Sequence, residues 1–556
     1  MNEVSNFCSG DVCSPPGGTS PTDTEKAVAP NNNFQCKLDC TWGVPAGAKK
    51  SNLPPPGIFD PPFKLNNAGA QRNLSEKTLP ITATHPASGA LEYDAHNLYG
   101  HYMSLVTVDA LADLNRNVRP FAFGRSTFLG TGRVAGHWTG DTSSGWRDLR
   151  RLIPAVLAAG LSGNPFTGGD VCGFMNLATP DLCAAWVAAA CMHPLMRFHH
   201  AQGFQEPYRW PTVAEATRKA VGVRYRLLPA LYSAGAASSA GGCPIARPAW
   251  FAWPAAGASR GASGAWTVGD SLLVVPLLAA AGGEAPAVPA PPGATLYDFW
   301  RRTRVAGGSP AAPPPPEVGG PTILAIGGSV TPVGRGGNST AAARDAPLTL
   351  VLAMQAAAPT SVGGGDAQSA PAPALKCGRP CAQGVPACGD VYLDRGDERE
   401  WGLGAGRGRV LAVDAADDYG VDLSWPSAQE RGGKGGGGCD RGVVWPRLER
   451  LVVLGAHPGS GSGGRVRVKA SKGADAPREG TAALDRATGA LEVTFPGGRG
   501  VELVCGAGVE IRWEVDRQAG EGAASAAAGA PVAVSSAPGA GAMGEPGAAA
   551  APPVPV

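Results

Sequence analysis

The chain has 556 residues, and its 47 lysines and arginines nearly balance its 45 aspartates and glutamates, giving a formal net charge of +2. This balance does not favour nucleic acid or an anionic membrane as partner, and no apolar run reaches the roughly 18 residues of a membrane span. The length is typical of several domains. Glycine (80) and proline (52) are frequent. Residues 516–556, with almost no charge and no aromatic residue, are predicted to be a disordered tail.

Residues 1–90 are rich in Pro, Asn, Gly and Cys, and we predict a loop-rich segment there. Apolar residues then recur at helical spacing from Tyr99 to Leu114. Three short apolar runs follow, each ending in polar or glycine-rich residues: RPFAF (119–123), VAGHW (134–138) and NPFTG (164–168). Further helices are predicted over 146–161, near 180–192 and over 212–237. Such alternation predicts a parallel β/α architecture with its chemistry at the carboxyl ends of the strands.

Beyond residue 246 the helical periods disappear. Short β-like runs, including SLLVVPLL, LTLVLAM, DVYLD, RVLAV, RLERLVVL, RVRVKA, LEVTF and EIRWEV, are separated by turns rich in glycine and proline. The pattern predicts one or two antiparallel β-sandwich domains, with a boundary near residue 345.

The cysteine pattern bears on the compartment. Of 13 cysteines, four lie within the first 40 residues: Cys8, Cys13, Cys36 and Cys40. The spacing lacks the paired CxxC units of zinc sites, so disulfides are favoured over free thiols and over metal. Asn73 and Asn338 begin glycosylation sequons. We therefore expect a protein of the secretory pathway, vacuolar or extracellular.

The densest group of polar and aromatic residues is FGRSTFLGTGRVAGHWTGDTSSGW (123–146). Arg125 ends one predicted strand, and His137, Trp138 and Asp141 end the next. An aromatic face can pack on a sugar ring, a guanidinium can hold hydroxyls, and a carboxylic acid can protonate a leaving oxygen. Each residue also has a structural interpretation: Asp141 as a helix N-cap, Trp138 as core and Arg125 as an ion-pair partner.

Eight motifs occur in one order: MNEVSNFC, EYDAHNLYGHY, RPFAFGRSTF, GRVAGHWTGD, GGDVCGF, MRFHH, RYRLLPALY and ARPAWF. Together they resemble glycoside hydrolase family 31, the retaining α-glucosidases, and specifically its plant-type α-glucosidase and α-xylosidase branch. The resemblance is strong from Met1 to about residue 255. It is weaker beyond, where GDVYLDRGDE resembles the family's distal sandwich motif.

The resemblance implies a fold class of α/β followed by all-β. The C-terminal half of a (β/α)8 TIM barrel would occupy residues 1–246, with a cysteine-containing, loop-rich insert over 1–90. A proximal β-sandwich would occupy 247–345 and a distal one 346–515, followed by the tail.

Residue roles also follow from the resemblance. Asp141, in HWTGD, is expected to be the general acid/base, and Arg125 and Trp138 to help bind the sugar in the cleavage subsite. The expected subsite is completed by Met1, Asp170, Phe174, Arg197 and His199. Cys172 and Cys183 match a spacing that is disulfide-bonded in related enzymes. An α-glucoside oligosaccharide is the implied substrate, and no cofactor or metal is implied.

The family's nucleophile is the Asp of a W-x-D-M-N-E motif, and this sequence begins with M-N-E. We therefore expect the chain to extend upstream, and the 556-residue chain alone to be inactive and poorly soluble. Glu3 is a poor substitute because strand alternation turns it away.

The intact enzyme is expected to hydrolyse terminal α-linked glucose by double displacement. The alternatives are an α-xylosidase of the same family, a non-catalytic carbohydrate-binding paralogue, and a chain completed by a separate N-terminal half.

Overall fold

The structure is a computed structural model. It describes residues 79, 83–280, 283, 286–356, 381–382, 385–393, 409–417, 420–424, 447–454, 464–470, 479–485, 487–488, 490–495 and 509–513. The predictions for Met1, Glu3, the four N-terminal cysteines, the Asn73 sequon and the tail 516–556 lie outside the described residues.

The α-helices of the described part are α1 Glu92–Ala95, α2 Tyr99–Leu114, α3 Trp146–Leu161, α4 Pro180–Ala190, α5 Pro211–Gly241, α6 Gly257–Arg260 and α7 Thr340–Asp345. In α3, buried apolar residues recur every three or four positions and form one stripe: Leu149, Leu152, Ile153, Val156 and Leu157. That spacing places them on one face of the helix. Helix α4 begins where the Thr179 hydroxyl accepts the amide of Leu182, and Pro180 occupies its first turn.

Helix α2 packs differently from the other long helices. Its buried positions are Gly100, Ser104 and Ala112, whereas Val106 and Leu114 are 65% and 83% exposed. A Cβ at Gly100 would lie 2.5 Å from the Ser126 carbonyl oxygen. The small residues of α2 therefore allow a close approach to the chain that follows Arg125.

Five very short strands precede the β-rich part: β1 Phe123–Gly124, β2 Gly136–Trp138, β3 Thr167–Gly168, β4 Asp170–Val171 and β5 Arg197–Phe198. Strands β1, β2 and β3 pair in parallel, and so do β4 and β5. Helix α3 connects β2 to β3, and α4 connects β4 to β5. The predicted alternation of parallel strands and helices is confirmed, with shorter strands than the apolar runs indicated.

The next strands are β6 Ala246–Pro248, β7 Trp266–Val268, β8 Leu272–Val275, β9 Leu296–Asp298, β10 Arg304–Val305 and β11 Thr322–Ile326. They form one antiparallel sheet in the order β10-β9-β11-β8-β7-β6. Buried residues of β7, β8 and β11 belong to the same apolar core as α3, α4 and α5. This sheet therefore packs against the helices of the β/α part.

The remaining strands are β12 Ser329–Gly334, β13 Leu348–Ala353, β14 Cys388–Leu393, β15 Arg409–Asp417, β16 Gly420–Ser424, β17 Leu448–Leu454, β18 Gly464–Ala470, β19 Glu479–Asp485, β20 Ala490–Thr494 and β21 Val509–Trp513. They follow one another around a closed sheet in which β13 pairs with β17 in parallel. Two purely antiparallel sandwiches are therefore not confirmed. Strand β12 lies before residue 345 but pairs with β13 along its whole length.

Within the described segments, no helix is both long enough and apolar enough to cross a membrane.

Candidate functional site

Asp141 lies just after β2, on the chain that leads to α3. Its carboxylate is 3.6 Å from the Arg125 guanidinium, and the two side chains are 47% and 42% exposed. The N-cap of α3 is Gly145, so the interpretation of Asp141 as an N-cap is wrong. Gly140 has φ of 80°, and a Cβ there would lie 3.0 Å from the Arg125 side chain. The carboxylate is thus accessible and is kept close to a cation.

Trp138 ends β2 and is half-buried. Its ring meets Phe123 edge-on at a centroid distance of 5.8 Å, and the Arg197 guanidinium lies 4.8 Å from its ring centre. The indole Nε1 is buried, with no hydrogen-bond partner among the described residues. Trp138 therefore belongs partly to the core and also has a donor that no described group uses.

Asp170 and Arg197 are register partners on β4 and β5. The Asp170 side chain is fully buried, and Arg197 donates from Nε and Nη2 to Oδ1 at 2.9 and 2.5 Å. Oδ2 is buried and accepts from no described residue. Burial raises the pKa of Asp170, while the hydrogen bonds and charge of Arg197 lower it. The pair fixes Arg197, and Oδ2 has no hydrogen-bond donor among the described residues.

Phe174 and His199 form the next part of the site. Their rings are stacked, with centroids 5.1 Å apart and planes 26° apart. The Ala201 amide donates to the Phe174 carbonyl at 2.9 Å, so the chain after β5 is joined to the chain after β4. His199 is exposed. An aromatic ring and an imidazole that face solvent together form a surface suited to a polar ring-shaped ligand.

The loop that carries Phe174 is held by a disulfide and by backbone hydrogen bonds. Cys172 and Cys183 form a disulfide with a Cα–Cα distance of 4.5 Å, as the resemblance implied. The Thr142 carbonyl accepts the amides of Phe174 and Met175 at 2.8 and 2.9 Å. The loop after Asp141 and the loop after Asp170 are therefore joined directly through their backbones.

The described part of the chain thus brings together seven of the eight expected catalytic and sugar-binding residues: Arg125, Trp138, Asp141, Asp170, Phe174, Arg197 and His199. Met1 lies outside the described residues. The Thr142 backbone beside Asp141 bonds to the loop that carries Phe174, and Arg197 contacts both Trp138 and Asp170, so these contacts connect the groups. Within the described segments no group of three or more His, Cys, Asp or Glu side chains is arranged to hold a metal ion.

Two residues near the site carry interactions that the sequence did not predict. His137 Nδ1 lies 3.2 Å from the Gly124 carbonyl across β1 and β2, and burial lowers the pKa of its imidazole. Gln205 is 1% exposed and bonds to the chain around Phe174. The sequence placed His137 at the end of its strand but did not indicate this contact. Only the fold shows the role of Gln205, because its partners are backbone groups distant in sequence.

Comparison with known proteins agrees with this geometry. Residues 1–234 match the TIM-barrel domain of glycosyl hydrolases family 31. Alpha-xylosidase 1 of Arabidopsis thaliana is 31% identical over 474 residues, which cover 85% of this chain and 46% of that protein. An alpha-glucosidase of Hordeum vulgare is 33% identical over 355 residues, covering 62% of this chain and 36% of that protein. The chain thus spans less than half the length of these relatives.

Solved structures show the same fold. The glucosidase II alpha subunit, bound to alpha3-Glc2, matches with a TM-score of 0.64 and 23% identity, covering 81% of this chain and 45% of that chain. A Flavobacterium johnsoniae GH31 dextranase in complex with glucose matches with a TM-score of 0.56 and 18% identity, covering 78% and 50%. Residues 1–234 therefore belong to glycoside hydrolase family 31, as its TIM-barrel domain.

Proposed function

We propose that this protein is a retaining α-glucosidase that releases terminal α-linked glucose, with Asp141 as its general acid/base. The names of the Arabidopsis and barley relatives support an α-glycosidase. The observation that carries the proposal is the accessible Asp141 carboxylate. It lies beside side chains that are suited to binding a sugar: Trp138, Asp170, Phe174, Arg197 and His199.

Two of these side chains have polar atoms that complement a sugar hydroxyl. Trp138 Nε1 can donate a hydrogen bond and Asp170 Oδ2 can accept one, and neither has a partner within the described segments. A sugar hydroxyl both donates and accepts, so a pyranose that reached these two atoms would satisfy both of them. The stacked rings of Phe174 and His199 would contact the apolar parts of the sugar ring.

In the first step, protonated Asp141 donates its proton to the glycosidic oxygen while the C1–O bond breaks and a carboxylate nucleophile bonds to C1. In the second step, ionised Asp141 takes a proton from water as the water oxygen bonds to C1 and the nucleophile leaves. The Arg125 guanidinium lies 3.6 Å from the Asp141 carboxylate. No described residue is assigned as the nucleophile.

Replacing Asp141 tests this role. In the full-length protein, Asp141→Ala should slow maltose hydrolysis by a factor on the order of 10²–10⁴. With 4-nitrophenyl α-glucoside, whose leaving group needs no proton, added azide should restore turnover and yield α-glucosyl azide. Asp181→Ala, an exposed aspartate at the start of α4, is the matched control. Full maltose activity in Asp141→Ala would refute the assignment.

An α-xylosidase is the second candidate, favoured by the long match to the Arabidopsis protein. Comparing kcat/KM for 4-nitrophenyl α-glucoside and 4-nitrophenyl α-xyloside separates the two, because only glucose carries the C6 hydroxymethyl group. A non-catalytic carbohydrate-binding protein would bind a glucose-like inhibitor without hydrolysing either substrate.

We also propose maturation in the secretory pathway. The disulfides Cys172–Cys183 and Cys381–Cys388 support an oxidising compartment. If both cysteine pairs in protein taken directly from its source were alkylated after unfolding without a reductant, the proposal would be wrong.

A further inference from the structure

We propose that Gln205 positions the side of the sugar pocket that contains Phe174. It does so by holding residues 172–178, here called the Phe174 loop. This inference rests on the proposed function, because it concerns the same pocket. Gln205 lies after β5 and is not expected to touch the sugar. It acts through the backbone of the loop that carries Phe174.

The Gln205 side chain is fully used by this loop. Its Nε2 donates to the carbonyl oxygens of Gly173 and Asn176 at 3.1 and 3.3 Å, and its Oε1 accepts the Ala178 amide at 2.6 Å. The three backbone groups lie at the start, the middle and the end of the Phe174 loop. One side chain thus fixes the loop along its whole length.

Burial in this segment runs opposite to hydrophobicity. Gln205 is 1% exposed, whereas its neighbour Phe204 is 71% exposed. A buried amide is costly unless its donors and acceptor are paired, and here they are. The Gln205 amide is therefore buried and the Phe204 ring is exposed. This indicates that the hydrogen bonds of Gln205 determine the conformation of this segment.

The Phe174 loop needs such support because its backbone is unusual. Cys172, Gly173 and Asn176 have φ of 73°, 90° and 66°, and two of these residues are not glycine. Left-handed backbone at a non-glycine residue persists only where its surroundings enforce it. The disulfide of Cys172 constrains the beginning of the loop, and Gln205 constrains the remainder.

The same contacts reach the acid/base loop. The Asn176 carbonyl accepts from Gln205 Nε2 and also from Ser144 Oγ, at 3.1 Å. Ser144 lies three residues after Asp141, and its amide donates to Met175. One carbonyl oxygen therefore joins the loops after β2, β4 and β5. Loss of the Gln205 bonds should shift Phe174 from His199 and loosen the loop beside Asp141.

Binding of 1-deoxynojirimycin, an iminosugar with the hydroxyl pattern of glucose, tests the inference by calorimetry on the full-length protein. Gln205→Met keeps the side-chain length and removes all three hydrogen bonds, so affinity should fall by about tenfold or more. Gln202→Met is the matched control, because Gln202 is exposed in the same loop. The Gln202→Met control should bind the iminosugar with unchanged affinity.

Gln205→Glu separates positioning from general stability. Ionised glutamate can still accept the Ala178 amide but cannot donate to the two carbonyls. Burial raises the pKa of a carboxyl, so the introduced glutamate should be protonated at about pH 5, regain one donor and recover affinity relative to the unaltered protein. Amide hydrogen exchange should accelerate in residues 172–178 of both variants while α3 keeps its protection.

The outcomes are distinct. If the unaltered protein binds the iminosugar and both Gln205 variants bind it equally well, the inference is overturned and the proposed function stands. If the unaltered protein does not bind, both are overturned. If Gln205→Met unfolds throughout, Gln205→Glu decides: unchanged affinity at both pH values overturns the inference, and pH-dependent recovery supports it.

Discussion

The guanidinium carbon of Arg197 lies 4.8 Å from the ring centre of Trp138. Behind it, the same guanidinium bonds to the buried carboxylate of Asp170. Arg197 thus separates the aromatic wall of the site from a carboxylate that has no access to water. A planar, permanently charged group can stack and bond at once, which a lysine cannot do.

Arg197→Met should destabilise the protein more at pH 7 than at pH 4.5. Burial already raises the pKa of Asp170, and removing Arg197 removes the opposing effect, so the pKa rises further. A carboxyl with a raised pKa in the folded state stabilises the protein below its unfolded pKa of about 3.9. That stabilisation is lost as pH rises through the folded pKa. Urea unfolding at the two pH values measures the difference.

The control for this prediction is Arg197→Met combined with Asp170→Asn. Asparagine cannot ionise, so the extra destabilisation at pH 7 should disappear in the double variant. An equal loss for Arg197→Met at both pH values would show that Asp170 does not carry the effect.

His193 should make the fold sensitive to acid. The side chain is buried against Trp266, its ring nitrogens have no partner in the described part, and burial lowers its pKa to about 3. Its contribution is present above the unfolded pKa of about 6.5 and is lost as pH falls towards the folded pKa. Between pH 7 and pH 4.5 this amounts to about 3 kcal/mol. His193→Phe should remove that part of the acid loss in urea unfolding.

His101→Phe serves as the comparison for His193, because His101 is half-buried and bonded to the Thr131 hydroxyl. His101→Phe should lose stability on acidification to the same extent as the unaltered protein. If both variants lost stability on acidification as the unaltered protein does, burial of His193 would not be the cause.

Removing the Cys172–Cys183 disulfide should lower the free energy of unfolding by about 3 kcal/mol, because the bridge restricts the unfolded chain and its short loop limits the effect to about this size. The sequence separation is 11, and both cysteines are fully buried. Cys172→Ala/Cys183→Ala should also bind the iminosugar more weakly, since Phe174 follows the bridge. Cys191→Ala removes a buried free thiol and should leave iminosugar binding unchanged. Equal binding by the double variant would show that the bridge does not shape the pocket.

Arg302 should hold the two β-rich sheets together. It bonds to Glu492 of β20 at 2.8 Å, and Arg450 approaches the other oxygen of Glu492 at 3.1 Å. Arg302→Ala should cost about 1 kcal/mol at low salt and less at about 1 M salt. Because Arg302 has φ of 63°, Arg302→Gly should cost less than the alanine variant. Urea unfolding at both salt concentrations tests this. Equal losses of unfolding free energy for the two variants would contradict the backbone argument.

Asn338 should carry an N-linked glycan if the protein matures in the secretory pathway. Asn338 and Thr340 are exposed, and Ser339 between them caps α7 through the Ala342 amide. Protein from its source should lose mass on treatment with an amidase that releases N-glycans. Asn338→Gln should abolish that modification, whereas Thr340→Ser should keep it. A native peptide with unmodified Asn338 would contradict the prediction.

The sequence predicted the elements that rest on strong local patterns. Helix α3 has the predicted bounds because its apolar stripe ends where glycine and asparagine begin. The β-like runs are strands because β-branched residues are bounded by glycine and proline. Strand β12 precedes the expected boundary near residue 345 but pairs with β13 beyond it, because this pairing is set by tertiary contacts that a local pattern does not contain.

The candidate site, like the fold, could be predicted only in part from the sequence. Motif order was enough to predict that Asp141, Asp170 and Arg197 lie together. It could not indicate Gln205, whose role depends on meeting three backbone groups 27 to 32 residues away. Nor could it exclude Asp141 as an N-cap, since a glycine–aspartate pair before a helix fits both interpretations until the helix start is known.

The Thr142 carbonyl, which receives the amides of Phe174 and Met175 beside Asp141, restricts how the site can change over evolution. With both lone pairs used, its place along the chain is fixed. Adding or removing one residue between Gly140 and Gly145 would bring a different carbonyl to those amides and displace the carboxylate. This stretch should therefore accept new side chains but no change of length, and variation in substrate preference must arise in neighbouring loops.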